Sequence, residues 1–141
     1  MAYKGRQFNH LQELLDYLDG IVLSRDLAPT LDLDTLTLLI NDGGNKTVTF
    51  SGNGLTPNQI VAQINAISAG AASLRNYGSA SPPRSKLAFI LPALVVKNTG
   101  TANALLGLST TANVTVGATA VAKADIVAIT EFTNRYTVVH E

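Results

Sequence analysis

The spacing of apolar positions changes several times along the chain, and each change marks an element. Phe8, Leu11, Leu14, Leu15 and Leu18 recur at helical spacing while Gln12, Glu13, Asp16 and Asp19 take the other side, which predicts an amphipathic helix over 7–19 that stops at Gly20. The stretch GIVLSRDLAPTLDLD contains Pro29 and keeps no period, so it reads as an extended arm joining that helix to the main body. From Thr35 the period becomes two, with Leu36, Leu38 and Ile40 on one face; Asn41-Asp42-Gly43-Gly44-Asn45 supplies turn residues, and Val48 and Phe50 resume the alternation. This pattern predicts a β-hairpin with one face on the core.

The densest local code follows. Thr56 is a helix cap, Pro57 suits the first helical position, and Gln59 stands where a capping box places it. Leu55 and Ile60 have the spacing of a hydrophobic staple, and Ile60, Ile64 and Ile67 with Val61 form the expected buried side of a helix over Thr56–Ser68, ended near Gly70. Residues 71–86, AASLRNYGSASPPRSK, read as a long loop. KLAFILPALVV reads as one buried strand with Pro92 at a bulge or edge, and GTANALLGL as a short helix or turn. The Val/Ile/Thr-rich last third predicts strands near Asn113–Val116, Asp125–Glu131 and Tyr136–His140, with breaks at Gly117 and near Asn134. The expected fold is therefore α+β: a small mixed or antiparallel sheet with one packed, capped helix at about 56–68, a helix and arm over 1–34, and a single β-rich body over 35–141.

Composition adds a reason to look for partners. At 141 residues the chain has material for one core, yet 46% of it is hydrophobic and only 14% charged, against about a quarter charged in ordinary domains. Some apolar surface is expected to meet other chains, and the terminal strand could pair with a neighbouring subunit. Ten basic and ten acidic residues cancel, so nucleic acid is not the expected ligand and nothing draws the chain to an anionic membrane. The apolar run Leu87–Val96 is too short to cross a bilayer, and the opening MAYKGRQFNHLQELL lacks the apolar core of a secretory signal. Without export, the acceptor patterns at Asn45 and Asn113 read as chance. With no cysteine, disulfides, thiol catalysis and thiolate metal sites are excluded.

Catalytic motifs do not emerge. His10 and His140 stand at opposite ends with no acid or hydroxyl at a diagnostic spacing, Gly43-Gly44 lacks the Lys-Ser/Thr of a phosphate loop, and Asp32, Asp34, Asp42, Asn41 and Asn45 do not follow the order of a calcium loop. No catalytic, cofactor or metal residue is assigned, and an enzyme is not expected. The candidate residues are those of an interface. Phe8, Leu11 and Leu15 belong to the first helix, whereas Arg75, Tyr77, Arg84 and Lys86 gather three cations and a ring on the 71–86 loop, suited to a partner's acidic face.

The succession LTLLINDGGNKTVTFSG, LTPNQIVAQINAI, KLAFILPALVV and GTANALLGL resembles the flagellin IN motif of flagellar filament proteins, with Ile64-Asn65-Ala66 and Leu106-Gly107-Leu108 at its signature points, over roughly Leu36 to Leu108. These segments also resemble parts of structural proteins of tailed bacteriophages. Flagellar proteins carry the motif between long helical ends, and the C-terminal third here has no heptad helix. The resemblance therefore implies a bacteriophage virion component of the neck, tail or capsid exterior, made in the host cytoplasm. It would associate with identical subunits and with other virion proteins. The competing reading is a non-enzymatic adhesin or ligand-binding module that presents loop 71–86.

Overall fold

The computed structural model describes residues 3–78, 84–132 and 135–141. Among these the chain is a mixed α+β protein with three α-helices and three antiparallel sheets. It divides into two compact units: unit 1 is Met1–Ile21 with Thr119–Glu141, and unit 2 is Val22–Ala118.

Unit 2 is built around the predicted hairpin. Strands β3 (Thr37–Asn41) and β4 (Asn45–Thr49) pair antiparallel, with Leu38 opposite Val48 and Asn41 opposite Asn45, so the turn is Asp42-Gly43-Gly44. Alternation sends Leu38, Ile40, Val48 and Phe50 into the core. Helix α2 (Pro57–Ile67) carries the complete capping box, Thr56 Oγ1 accepting from Gln59 N and Gln59 Oε1 from Thr56 N. Ile60 and Ile64 are fully buried, and burial of each contributes roughly 1.5–3 kcal/mol. Ile67, expected on the same face, is 45% exposed because Ser68, four residues beyond Ile64, takes the buried place in that row.

Strands β2 (Val22–Asp26), β5 (Ala72–Arg75) and β6 (Lys86–Phe89) form a sheet of order β2-β6-β5. Strand β2 has one more residue than β6 across the irregularity between Leu23 and Asp26, and the buried Ser24 hydroxyl there accepts from Leu87 N. The second sheet adds β7 (Val95–Val96) and β8 (Val114–Thr115) in the order β4-β3-β7-β8, and a short helix α3 (Asn103–Leu106) follows β7 in the chain. Gly100 lets α3 close on β3: a Cβ there would lie 2.5 Å from Asn103 Oδ1 and 2.8 Å from Thr37 O.

Unit 1 joins the two ends of the sequence. Strand β1 (Lys4–Phe8) precedes helix α1 (Leu11–Asp19), whose first turn is capped by His10 Nδ1 accepting from Gln12 N at 3.2 Å. From the other end come a 3-10 turn (Lys123–Asp125) and strands β9 (Ile126–Phe132) and β10 (Arg135–His140), giving the order β1-β10-β9. Lys4 pairs with His140 and Phe8 with Tyr136. Phe8, Leu14 and Val138 are the buried apolar centre, flanked by Tyr17, Leu18, Ile126 and Tyr136. Leu18 O accepts from Val121 N at 2.9 Å, and a Cβ on Gly20 (φ +65°) would stand 2.6 Å from Ala120 N. The chain thus leaves and re-enters unit 1 at adjacent points, with unit 2 inserted between.

Several expectations are corrected. The first helix begins at Leu11 rather than at residue 7, because residues 4–8 are drawn into pairing with a strand more than a hundred residues away. The stretch expected as an arm contains β2, and its Leu27 and Leu33 are core residues of unit 2. The division expected after residue 34 falls after residues 21 and 118. Loop 71–86 begins with β5 and ends in β6, while its residues 79–83 lie outside the described residues, as does the break expected near Asn134. The single strand expected over 86–96 is two strands, separated where Pro92 precedes Ala93 in a left-handed conformation (φ +68°).

Candidate association surface

The two edges of the unit 1 sheet have opposite chemistry. Edge strand β1 reads Lys-Gly-Arg-Gln-Phe, with Lys4 to Gln7 exposed. Charge and glycine on an edge discourage another strand from pairing with it. Arg6 is further occupied, its guanidinium lying 5.3 Å from the Phe8 ring centre and 4.9 Å from that of Tyr17. Edge strand β9 carries Ile-Val-Ala-Ile-Thr before its first charge at Glu131, and residues 127–131 are all exposed. Val127 is 55% and Ile129 49% exposed.

Register explains why Ile129 is left open. It stands opposite Val138, whose side chain is buried with Leu14 of α1, so Ile129 points to the face that α1 covers. Helix α1 packs on β10 and β1, and the strip over β9 stays uncovered. A bulge at the start of β9, where the register shifts between Val139 and His140, leaves the rest of the strand regular. Long apolar edges of this kind are templates for another strand.

The predicted interface residues divide between the units. Leu11 and Leu15 are 46% and 42% exposed on α1 and remain available for contact. Phe8 is not: it is 3% exposed, because as a strand residue it points under the helix instead of lying on it. Tyr77 is also buried. Arg75 and Lys86 are direct neighbours across the β5–β6 ladder, and Lys86 is opposite Asp26 on its other side. Its Nζ lies 3.1 Å from Asp26 Oδ1, a charge contact without hydrogen-bond alignment. Arg75 Nη1 donates at 3.3 Å to Ser73 Oγ and Leu74 O. The row Arg75–Lys86–Asp26 is therefore partly neutralised inside a sheet, and Arg84 is the exposed member of the expected cationic group.

The other polar candidates are tied into local structure. Asp32 Oδ1 accepts from Gly54 N at 2.9 Å and Asp34 Oδ1 from Gly52 N at 2.8 Å, closing the loop before α2. Asp42 accepts from Ser68 Oγ at 2.5 Å and from Lys46 Nζ at 3.2 Å, which fastens the hairpin turn to the end of α2. The Ser68 hydroxyl first, and then the Lys46 ammonium, hold the Asp42 carboxyl below its ordinary value of 3.8. Among the described residues no three His, Asp or Glu side chains converge as a metal site needs. His140 is buried, with Nε2 2.7 Å from Tyr17 Oη and Nδ1 2.9 Å from Glu141 O. The oxygen can only accept, so Nδ1 carries the proton there.

Two amide side chains that sequence reading assigned no task hold unit 2 together. Asn65 donates to Ala72 O and accepts from Ala72 N, at 3.0 and 2.9 Å, acting as one rung of a strand ladder for β5. Gln63 does the same for Ser51, at 3.0 and 2.9 Å. Asn65 lies within the Ile-Asn-Ala signature; for Gln63 nothing in the local pattern marks it. Compared with known proteins, the chain matches no family model, no curated protein and no solved structure.

Proposed function

We propose that the chain is a structural, non-enzymatic component of a bacteriophage particle, in its neck, tail or capsid exterior, which works by self-association and by docking on other virion proteins. The observation that carries the associating role is the edge strand β9, exposed over residues 127–131 and uncharged from Ile126 to Thr130. Among the described residues, five of the seven exposed large hydrophobic side chains, Tyr3, Leu11, Leu15, Val127 and Ile129, fall in unit 1, which is under a third of the chain. A unit that small, without cysteine and with three buried apolar side chains at its centre, gains most from burying surface against another chain. The assignment to a phage particle is supported by the resemblance of Leu36–Leu108 to the flagellin IN motif and by the similar segments of tailed-phage proteins.

The test is the native mass of the purified protein by light scattering on a sizing column, followed by negative-stain imaging of the same peak. An assembly of fixed copy number is expected. A monomer over a wide concentration range would contradict self-association.

A further inference from the structure

We infer that β9 pairs antiparallel with β9 of a second copy, about a two-fold axis at Ile129, so that two three-stranded sheets become one sheet of six strands. This rests on the reading of the chain as a self-associating part and names the surface and the partner.

Three observations select a second copy as occupant. The first is the contrast between edges: β1 presents Lys4 and Arg6, whereas β9 is uncharged from Ile126 to Thr130 and has no strand on its outer side among the described residues. An uncharged stretch suits an uncharged partner, and Ile126–Thr130 of a second β9 supplies one. The second is the register. A two-fold axis normal to the sheet preserves its faces, so Ile129 of one copy would meet Ile129 of the other on the side where α1 and its symmetry mate cover the flanking strands. The strip left open over β9 would become the middle of the joined sheet.

The third is the charge pattern. With the axis at Ile129, Ala128 stands opposite Thr130 and Val127 opposite Glu131, and no like charges face each other within the strand. An axis at Ala128 would set Asp125 against Glu131, a like-charge pair that the Ile129 register avoids, and an axis at Thr130 would part the two Ile129 side chains, which the Ile129 register joins.

The native chain has no cysteine, so a single introduced thiol reports on one position. Directly opposed residues in antiparallel strands have Cα atoms about 4.5–5.5 Å apart, within the range of about 4.4–6.8 Å that a disulfide spans. The experiment oxidises the full chain carrying Ile129→Cys and compares it with Thr130→Cys, on the opposite face and off the axis, and with Leu105→Cys, an exposed position of unit 2. Ile129→Cys is expected to form disulfide dimer at least about tenfold faster than either control. Because Ile129 is half exposed, Ile129→Lys is expected to fold, to lose the dimer, and to melt where the wild type melts at concentrations too dilute for association. Equal rates for the three cysteine variants, in a wild-type chain that still sizes as a multimer, would overturn the β9 pairing and leave self-association standing. Equal rates with a monomeric wild type would overturn both.

Discussion

Unit 2 and unit 1 solve the burial problem in different ways. Unit 2 closes on itself: buried apolar side chains from both its sheets and from α2 and α3 form one continuous cluster, and polar groups serve local tasks such as the Thr56–Gln59 capping box and the Asn65 and Gln63 rungs. Unit 1 has a three-stranded sheet, one helix and a centre of Phe8, Leu14 and Val138, and it leaves Leu11, Leu15, Val127 and Ile129 in solvent. A core spends apolar residues on stability, and an interface leaves them exposed until a partner arrives. Among the described residues, most of the large apolar side chains left exposed are thus in the smaller unit.

Separating the units tests that contrast most severely. The segment 22–118 is expected to unfold cooperatively by itself and to remain monomeric, checked by thermal melting and light scattering. Failure of the isolated segment to fold would show that unit 1 supports its core. Cutting after residue 26 instead is expected to weaken the fold, since it removes β2 from its pairing with β6.

Single charges sharpen the comparison. Ile64→Asp places an unpaired carboxylate at a position with no solvent exposure and is expected to cost at least about 4 kcal/mol, seen as loss of soluble, cooperatively melting protein. Ile129→Lys should reduce the native mass and keep a cooperative melt at the temperature of the dissociated wild type. Asn65→Ala removes both hydrogen bonds to Ala72, leaving a partly buried N–H and C=O unpaired, and a loss of about 2–3 kcal/mol by denaturant unfolding is expected. Thr56→Ala removes the cap of α2 and is expected to cost about 1 kcal/mol.

The smallest effect is the pH dependence carried by Asp42. Its carboxyl is held below the ordinary value of 3.8, so its contribution is complete above that pH and disappears as pH falls through the lower folded value. The melting temperature of Asp42→Asn should therefore lie below wild type at pH 7, and the gap should close in acid. A gap that persists unchanged to pH 2 would assign the effect to the Ser68 and Lys46 contacts of the neutral side chain.

The difference between the units also governs what could be read from the sequence. The hairpin over Thr37–Thr49 and the helix over Pro57–Ile67 are written in adjacent residues, through alternation, turn chemistry and caps, and they stand where those signals put them. Strand β1 has no such code: Lys-Gly-Arg-Gln-Phe is a strand because Tyr136 to His140 pair with it, and that partner is remote in sequence. Helical spacing alone therefore puts Phe8 on the exposed run of a helix, and no local pattern marks Val127 and Ile129 as exposed. Their strand was legible, but its position at the edge of a sheet depends on which other strands it meets. The cationic loop misled for a related reason, since Lys86 looks free until β2 brings Asp26 beside it.

The most direct test of β9 as the associating edge is hydrogen exchange of its backbone amides, Ile126 to Phe132, measured from dilute to concentrated protein. Protection of the outward-facing amides should rise with concentration in step with native mass, while the amides of β1 stay unchanged. Rapid exchange throughout β9 in a chain already shown to be multimeric would contradict the account and move the interface elsewhere.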